Sequence, residues 1–431
     1  MPDRSRACAV TLISKTYWGG MPFDFRRPPE RASVEPVKLF TQDMREVRGL
    51  LWTERPSRIG VLLMHPRVDF TRHYAIPRLL EAGFSVLALN SRCVNDDTDA
   101  VHEELVLDVA AGVDALRARG AEKVALLGNS GGGSLMALFQ AQAALAPEAR
   151  IARTPAGAPT MLPRAKLTPA DALCLIAAHR GQGHVLARAI DPSVIDEHDP
   201  ALTDPSLDMY AEASGFSPPP EWSEYRLAFV QGYRSAQLDR VRRLDAMAHA
   251  LLEPARRARR IAKAASFASL PFGERQAIER AVHAQRVMVV YRTMANLDYV
   301  DRRLDPSPRE YGSLLSERPD LMNASMPGFA RTVTPRAWLS TWSSLSSNAD
   351  LVRSLAGVGV PVLAVHAEKD KEIYPTQDVA AIDGAITSED RTCMTLEGAG
   401  HYFEPPFGAT EAPHVEALMD VVVRWIQERL G

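Results

Sequence analysis

The sequence predicts an α/β protein: a mostly parallel sheet flanked by helices, with a large helical insertion late in the sheet. Three observations carry that reading. Short apolar runs alternate with helix-patterned segments from residue 59 to residue 178. The alternation stops between 191 and 348, then resumes near 360 and runs to the C-terminus. The implied organisation is an arm over 1–35, a first part of the core over 36–190, an insertion over 191–348 and a second part of the core over 349–431.

Taken in order, residues 1–35 are rich in Arg and Pro and carry Tyr17, Trp18, Phe23 and Phe25, which reads as an irregular arm lying on a domain. Val37 to Phe40 and Val47 to Trp52 read as two antiparallel strands joined at Gln42 and Asp43. Ile59 to Met64 is a continuous apolar run ahead of Pro66, which suits a strand buried on both faces. Tyr74 to Ala82 has helical spacing and stops at Gly83. Phe84 to Leu89 is the next strand, Glu103 to Arg119 an amphipathic helix, and Lys123 to Leu127 a further strand. Ser130 to Ala144 follows as a helix of small residues, and Asp171 to Ala178 as a strand. From Asp191 to Asn348 the patterns are helical, with Tyr225 to Leu252 the clearest helix and Glu274 to Leu297 a second; no strand is expected there. Val360 to His366 and Arg391 to Leu396 restore the strands, and Pro413 to Leu430 closes the chain as a helix.

Composition narrows the function classes. Of 431 residues, 46% are hydrophobic and 24% charged, a balance that argues against disorder. The net charge of −3 leaves no basic footprint for nucleic acid. No apolar run approaches the roughly 20 residues of a spanning helix, and the N-terminus lacks the apolar core of a signal peptide. A cytoplasmic protein without a membrane role is expected. The four cysteines, Cys8, Cys93, Cys174 and Cys393, are scattered with no CxxC pair, so buried reduced thiols are expected rather than disulfides or zinc.

Chemistry concentrates at Gly128-Asn129-Ser130-Gly131-Gly132, a G-x-S-x-G pattern between a strand and a helix. So tight a turn holds the serine in strained backbone geometry, and Gly128 and Gly132 supply the room. It also places the hydroxyl at a helix N-terminus, where backbone N–H groups can face a developing oxyanion. A serine needs a base before it attacks. Downstream, Asp370 follows the strand ending at His366, at the sheet edge where sites form. His401 follows the last strand between Gly398, Gly400 and Tyr402.

In that order, Ser…Asp…His, the chain resembles the α/β-hydrolase superfamily with an inserted helical cap; the matched segments, about 37–180 and 358–430, cover half the sequence. The resemblance implies the α/β-hydrolase fold, Ser130 as nucleophile, His401 as base and Asp370 as the acid that orients it. Glu368 and Asp191 are alternative acids, and Glu404 is expected to make a loop contact. The family's oxyanion hole pairs the amide of Gly131 with one from the loop after Ile59–Met64. Here that loop reads His65-Pro66-Arg67-Val68 where the family usually has His-Gly; Pro66 has no N–H, so Arg67 is the second candidate.

Substrate contacts are expected from His65, Val68, Asn129, His179 and Tyr402 around the serine, and from Trp222 and Tyr225 of the insertion. His179 and His184 lack a third partner for a metal, and no cofactor or metal is implied. Arg256, Arg257, Arg259 and Arg260 read as the solvated face of a helix. The function expected is cleavage of an ester, thioester, lactone or amide of a small, partly apolar molecule. Carbon–carbon hydrolysis of a diketone, acyl transfer and non-catalytic binding stay open. Epoxide or haloalkane chemistry would want a carboxylate at position 130. A homodimer is suggested only by how common such dimers are.

Overall fold

A computed structural model describes residues 26–405, 409 and 411–431. Most of the 1–35 arm, with its four aromatics and Cys8, therefore lies outside the described residues.

One sheet of eight strands organises the molecule. In chain order they are β1 (Ser33–Phe40), β2 (Glu46–Thr53), β3 (Ile59–Leu63), β4 (Ser85–Leu89), β5 (Lys123–Asn129), β6 (Ala172–Ile176), β7 (Val362–Ala367) and β8 (Arg391–Leu396). Their spatial order is β1-β2-β4-β3-β5-β6-β7-β8. β1 and β2 form the expected antiparallel hairpin, with Val37 opposite Gly49, although β1 begins four residues earlier than Val37. β2 meets β4 antiparallel, and every later pairing is parallel.

The apolar runs bury both faces. Val61, Leu63, Ala125, Leu127, Leu363 and Val365 belong to one buried cluster, which also takes in α1 (Ile76–Glu81) and the C-terminal helix Pro413–Leu430. Their neighbours Leu62, Leu126, Val362 and Ala364 point the other way and pack under α2 (His102–Ala118) and α3 (Gly131–Ala144). A strand's period of two turns a continuous apolar run into two half-cores.

Between β6 and β7 the chain leaves the sheet. It passes through α4 (Gln182–Ala189) into α5 (Leu227–Ala262) and α6 (Phe272–His283). This stretch builds a third buried cluster with Tyr233, Val241, Leu244, Trp338 and Trp342, which also draws in Leu186 and Ile190.

Two expectations fail here. The second helix ends at His283, not Leu297. Met288–Val289 pairs with Thr332–Val333, and Val290 to Val300 runs on as buried, mostly non-helical chain. Side chains of α5 satisfy that backbone: Tyr233 and Gln237 donate to the Ala295 carbonyl, and Arg240 donates to that of Tyr291. Apolar spacing there reports burial, and long-range polar partners replace the helical ladder. The insertion also holds strands, in that ribbon and in a second one pairing Val194–Asp196 with Asp199–Thr203. Among the described residues no helix is long and apolar enough to cross a membrane.

Candidate active site

β5 lies between β3 and β6, so the turn at its C-terminal end is flanked by the loops that leave those two strands. Ser130 occupies that turn with φ 54° and ψ −123°, a left-handed backbone rarely tolerated outside glycine. The turn is held by its own N–H, which donates to the Ile176 carbonyl at 3.0 Å. A side chain at Gly128 would meet the Gly132 backbone at 2.6 Å, and one at Gly132 would meet the Met64 carbonyl at 2.6 Å. Only glycine fits either place. Gly131 opens α3, where its N–H has no intrahelical acceptor.

Two loops from the far end of the chain reach this turn. His401 Nε2 lies 2.9 Å from Ser130 Oγ, and its Nδ1 lies 2.7 Å from Asp370 Oδ2. The other oxygen of Asp370 accepts the backbone N–H groups of Glu372 (2.8 Å) and Ile373 (3.1 Å), which fixes its orientation. All three side chains are buried. The sheet order and this turn are those of the α/β-hydrolase fold that the sequence implies.

No protein-family model and no curated protein sequence matches the chain. Solved structures resemble it at the level of overall shape. DcsB in complex with its substrate analogue aligns with TM-score 0.47 and 14% identity over 92% of this chain and 99% of that one. The α/β hydrolase GrgF from Penicillium sp. sh18 aligns with TM-score 0.44 and 15% identity over 92% and 99%. The Pyrococcus furiosus esterase Pf2001 aligns with TM-score 0.43 and 12% identity over 93% and 92%. Likeness this distant carries no residue roles onto this chain.

Charge around His401 is lopsided. Burial disfavours its imidazolium, but Asp370, Glu372 and Glu404 outweigh that and push the group up to about 9. Burial in turn raises the carboxyls of Glu372 and Glu404. Glu404 makes a loop contact, accepting the Tyr402 N–H at 2.8 Å. Glu368 accepts the Gly398 N–H at 2.8 Å and steadies the loop that carries His401. Asp191 is engaged elsewhere, with Arg292, Asn323 and Ser193.

Two more imidazoles stand beside Gly131. His65 Nδ1 accepts the N–H groups of Arg67 (3.2 Å) and Val68 (3.0 Å), and His179 Nδ1 accepts that of Gly181 (3.0 Å). Each backbone donor places the ring proton on Nε2. Burial, reinforced by Arg67 and the neighbouring histidines, lowers His65 well below the ordinary histidine value and His179 to about 3. Both are therefore neutral donors.

Arg67, expected as the second oxyanion donor, aims its amide at His65 Nδ1 in this structure. The amide is thus turned onto its own loop, while the guanidinium lies over the Trp342 ring and near Asp97. Gly131 keeps its amide available.

Of the expected substrate contacts, His65 and His179 reach the Gly131 corner, and Tyr402 packs edge-on against the His401 ring. Asn129 does not reach out, because its amide is tied to Tyr74, His73 and the Ile176 carbonyl. Val68 belongs to the core with Phe70. Tyr225 donates to the Met209 carbonyl and stacks on Phe229, and Trp222 lies against Tyr311 and Arg302. Tyr225 thus belongs to the insertion's buried cluster, while Trp222 is half-buried at its edge.

Glu372 and Gln182 complete the surroundings of the serine. Glu372 carries no motif. Gln182 does have a local signal, since it sits between Gly181 and Gly183 in the polar turn after β6.

Proposed function

We propose that the protein is a serine hydrolase that cleaves an ester, thioester, lactone or amide bond of a small, partly apolar substrate through an acyl-enzyme on Ser130. The observation that carries this is the continuous hydrogen-bonded relay from Ser130 Oγ through His401 to Asp370. In this reading His401 in its neutral form takes the Ser130 proton as the hydroxyl attacks the carbonyl. Asp370 orients the ring and stabilises the imidazolium that forms, and the same proton then passes to the leaving group. Water repeats the sequence on the acyl-enzyme. The raised proton affinity of His401 fits a site built to favour the imidazolium that appears with the oxyanion.

The oxyanion is assigned to the Gly131 amide at the start of α3, where unsatisfied N–H groups and the helix dipole favour negative charge. The insertion acts as a cap, supported by the way Trp342, Asn296 and Tyr299 crowd the loops beside Ser130. Such a cover excludes water and makes each hydrogen bond at the reacting atoms count for more.

Intact mass after exposure to a fluorophosphonate tests the reading. A single adduct is expected on the wild-type protein and none on Ser130→Ala. An adduct that survives the substitution, or none on folded wild type, counts against it.

A further inference from the structure

Beside Gly131 the structure collects donors that the relay does not use. The point where a side chain would begin on Gly131 lies 2.5 Å from Gln182 Nε2, 2.9 Å from His65 Nε2 and 3.1 Å from His179 Nε2. The three nitrogens come from separate loops, after β3 and after β6, and from the first residue of α4. Gln182 is 2% exposed, and neither its Nε2 nor its Oε1 has a hydrogen-bond partner. A buried primary amide left wholly unsatisfied is costly and rare. The backbone is shaped to hold it there: side chains at Gly181 and Gly183 would strike the Ala349 carbonyl at 2.1 Å and the Ser343 backbone at 2.8 Å. Chain from the end of the insertion thus crosses the first turn of α4 on both sides of Gln182.

We propose that Gln182, with the Nε2–H groups of His65 and His179, forms a subsite for an uncharged oxygen of the substrate and so selects acyl groups carrying an oxo or hydroxy oxygen next to the scissile carbonyl. This rests on the Ser130 reading for the position of that carbonyl. Gly131 is both the oxyanion donor of that reading and the residue against which the three nitrogens converge. An oxygen they hold is then only a few ångströms from the scissile carbonyl oxygen, the spacing of 2-oxo, 3-oxo and 3-hydroxy acyl groups. A neutral oxygen fits better than a carboxylate. The two imidazoles are uncharged, and Glu372 lines the same cavity as His179, where a second carboxylate would be repelled.

Ser130→Ala protein keeps the subsite and stops turnover, so affinity can be read directly by calorimetry. The ligands are the N-acetylcysteamine thioesters of hexanoic and 3-oxohexanoic acid. The 3-oxo thioester is expected to bind roughly 10–100-fold more tightly, the scale of one or two satisfied hydrogen bonds. Gln182→Leu in the same background is expected to bring the two within about threefold. Gln182→Met keeps a similar shape, removes the donor and is expected to do the same, which separates donation from folding. Equal affinities in the parent, including no binding of either, overturn the proposal. So does a preference that persists in both variants. Fluorophosphonate labelling of the wild-type protein reads Ser130 independently of the subsite and is expected to give a single adduct. If Ser130 is never labelled while the affinity difference holds, the hydrolase reading falls and the subsite stands.

Discussion

His401 and His179 are two imidazoles buried beside the same serine, and the protein drives them in opposite directions. One is pushed up to about 9, the other down to about 3. Burial acts on both in the same sense, so it does not set the difference. The partners do. His401 faces three carboxyl groups, whereas His179 meets a backbone N–H, other imidazoles and Arg67. Depth excludes water from a histidine; the neighbouring groups decide whether it then moves a proton or only offers one.

The comparison breaks most sharply where the proton moves. His401→Ala is expected to abolish turnover nearly as fully as Ser130→Ala, by roughly 10⁶-fold in kcat, since the two act as a unit. Hydrolysis of an activated acyl ester checks this. Asp370→Asn is expected to cost about 10⁴-fold, because it removes both the charge and the correct tautomer.

A pH profile reads the sign of the raised value. Only the neutral imidazole accepts the serine proton, so a proton held more tightly moves the acid limb of kcat/KM to higher pH. In wild type that limb is expected above the ordinary histidine range near 6.5, toward about 9. Glu372→Gln removes one facing carboxyl and is expected to shift the limb to lower pH with little change in the plateau. No shift would mean that Glu372 is not felt at His401.

The other imidazoles sharpen the contrast. His179→Gln is expected to leave the limb in place, since His179 does not titrate in that range. His65→Ala leaves the Arg67 and Val68 amides without their acceptor and is expected to lose about 1–3 kcal/mol of stability, measured by urea unfolding. Glu368→Gln is the smallest change, expected within about threefold in kcat/KM, because its amide oxygen still accepts the Gly398 N–H.

The legibility of these features follows the range of the interactions behind them. The strands were readable because burial on both faces writes itself as a contiguous apolar run, as in Ile59 to Leu63. The serine turn was readable because its crowding falls on Gly128 and Gly132, neighbours in sequence. Asp370 and His401 were placed by their positions after successive strands, and the structure brings both to Ser130. Val290 to Val300 reads as helix because its apolar residues are spaced like one, while the polar partners of its backbone come from α5, 51 to 62 residues earlier. Trp222 and Tyr225 misled for a related reason: a large aromatic suits a substrate wall or a core equally, and only the packing distinguishes them. Gln182 lies in a polar turn that the sequence marks, but its unsatisfied amide is defined by what surrounds it, which the turn itself does not record.

Helix α5 carries one further consequence. At 36 residues it is about 54 Å long. Its first half is anchored by Tyr233, Gln237, Arg240, Val241, Leu244 and Ala248, whereas beyond Ala248 only Ala258 is fully buried. Pro254 also removes one rung from the hydrogen-bond ladder at that point. The outer turns therefore lean mainly on α6 and on the Ala156 carbonyl, which Arg256 reaches, and they are expected to open as a separate unit. Their amides should exchange with deuterium well before those of the inner turns, and a protease should cut there first while the reacting groups stay enclosed. A label or tether fixed to that outer end would report on the insertion without disturbing the chemistry beneath it.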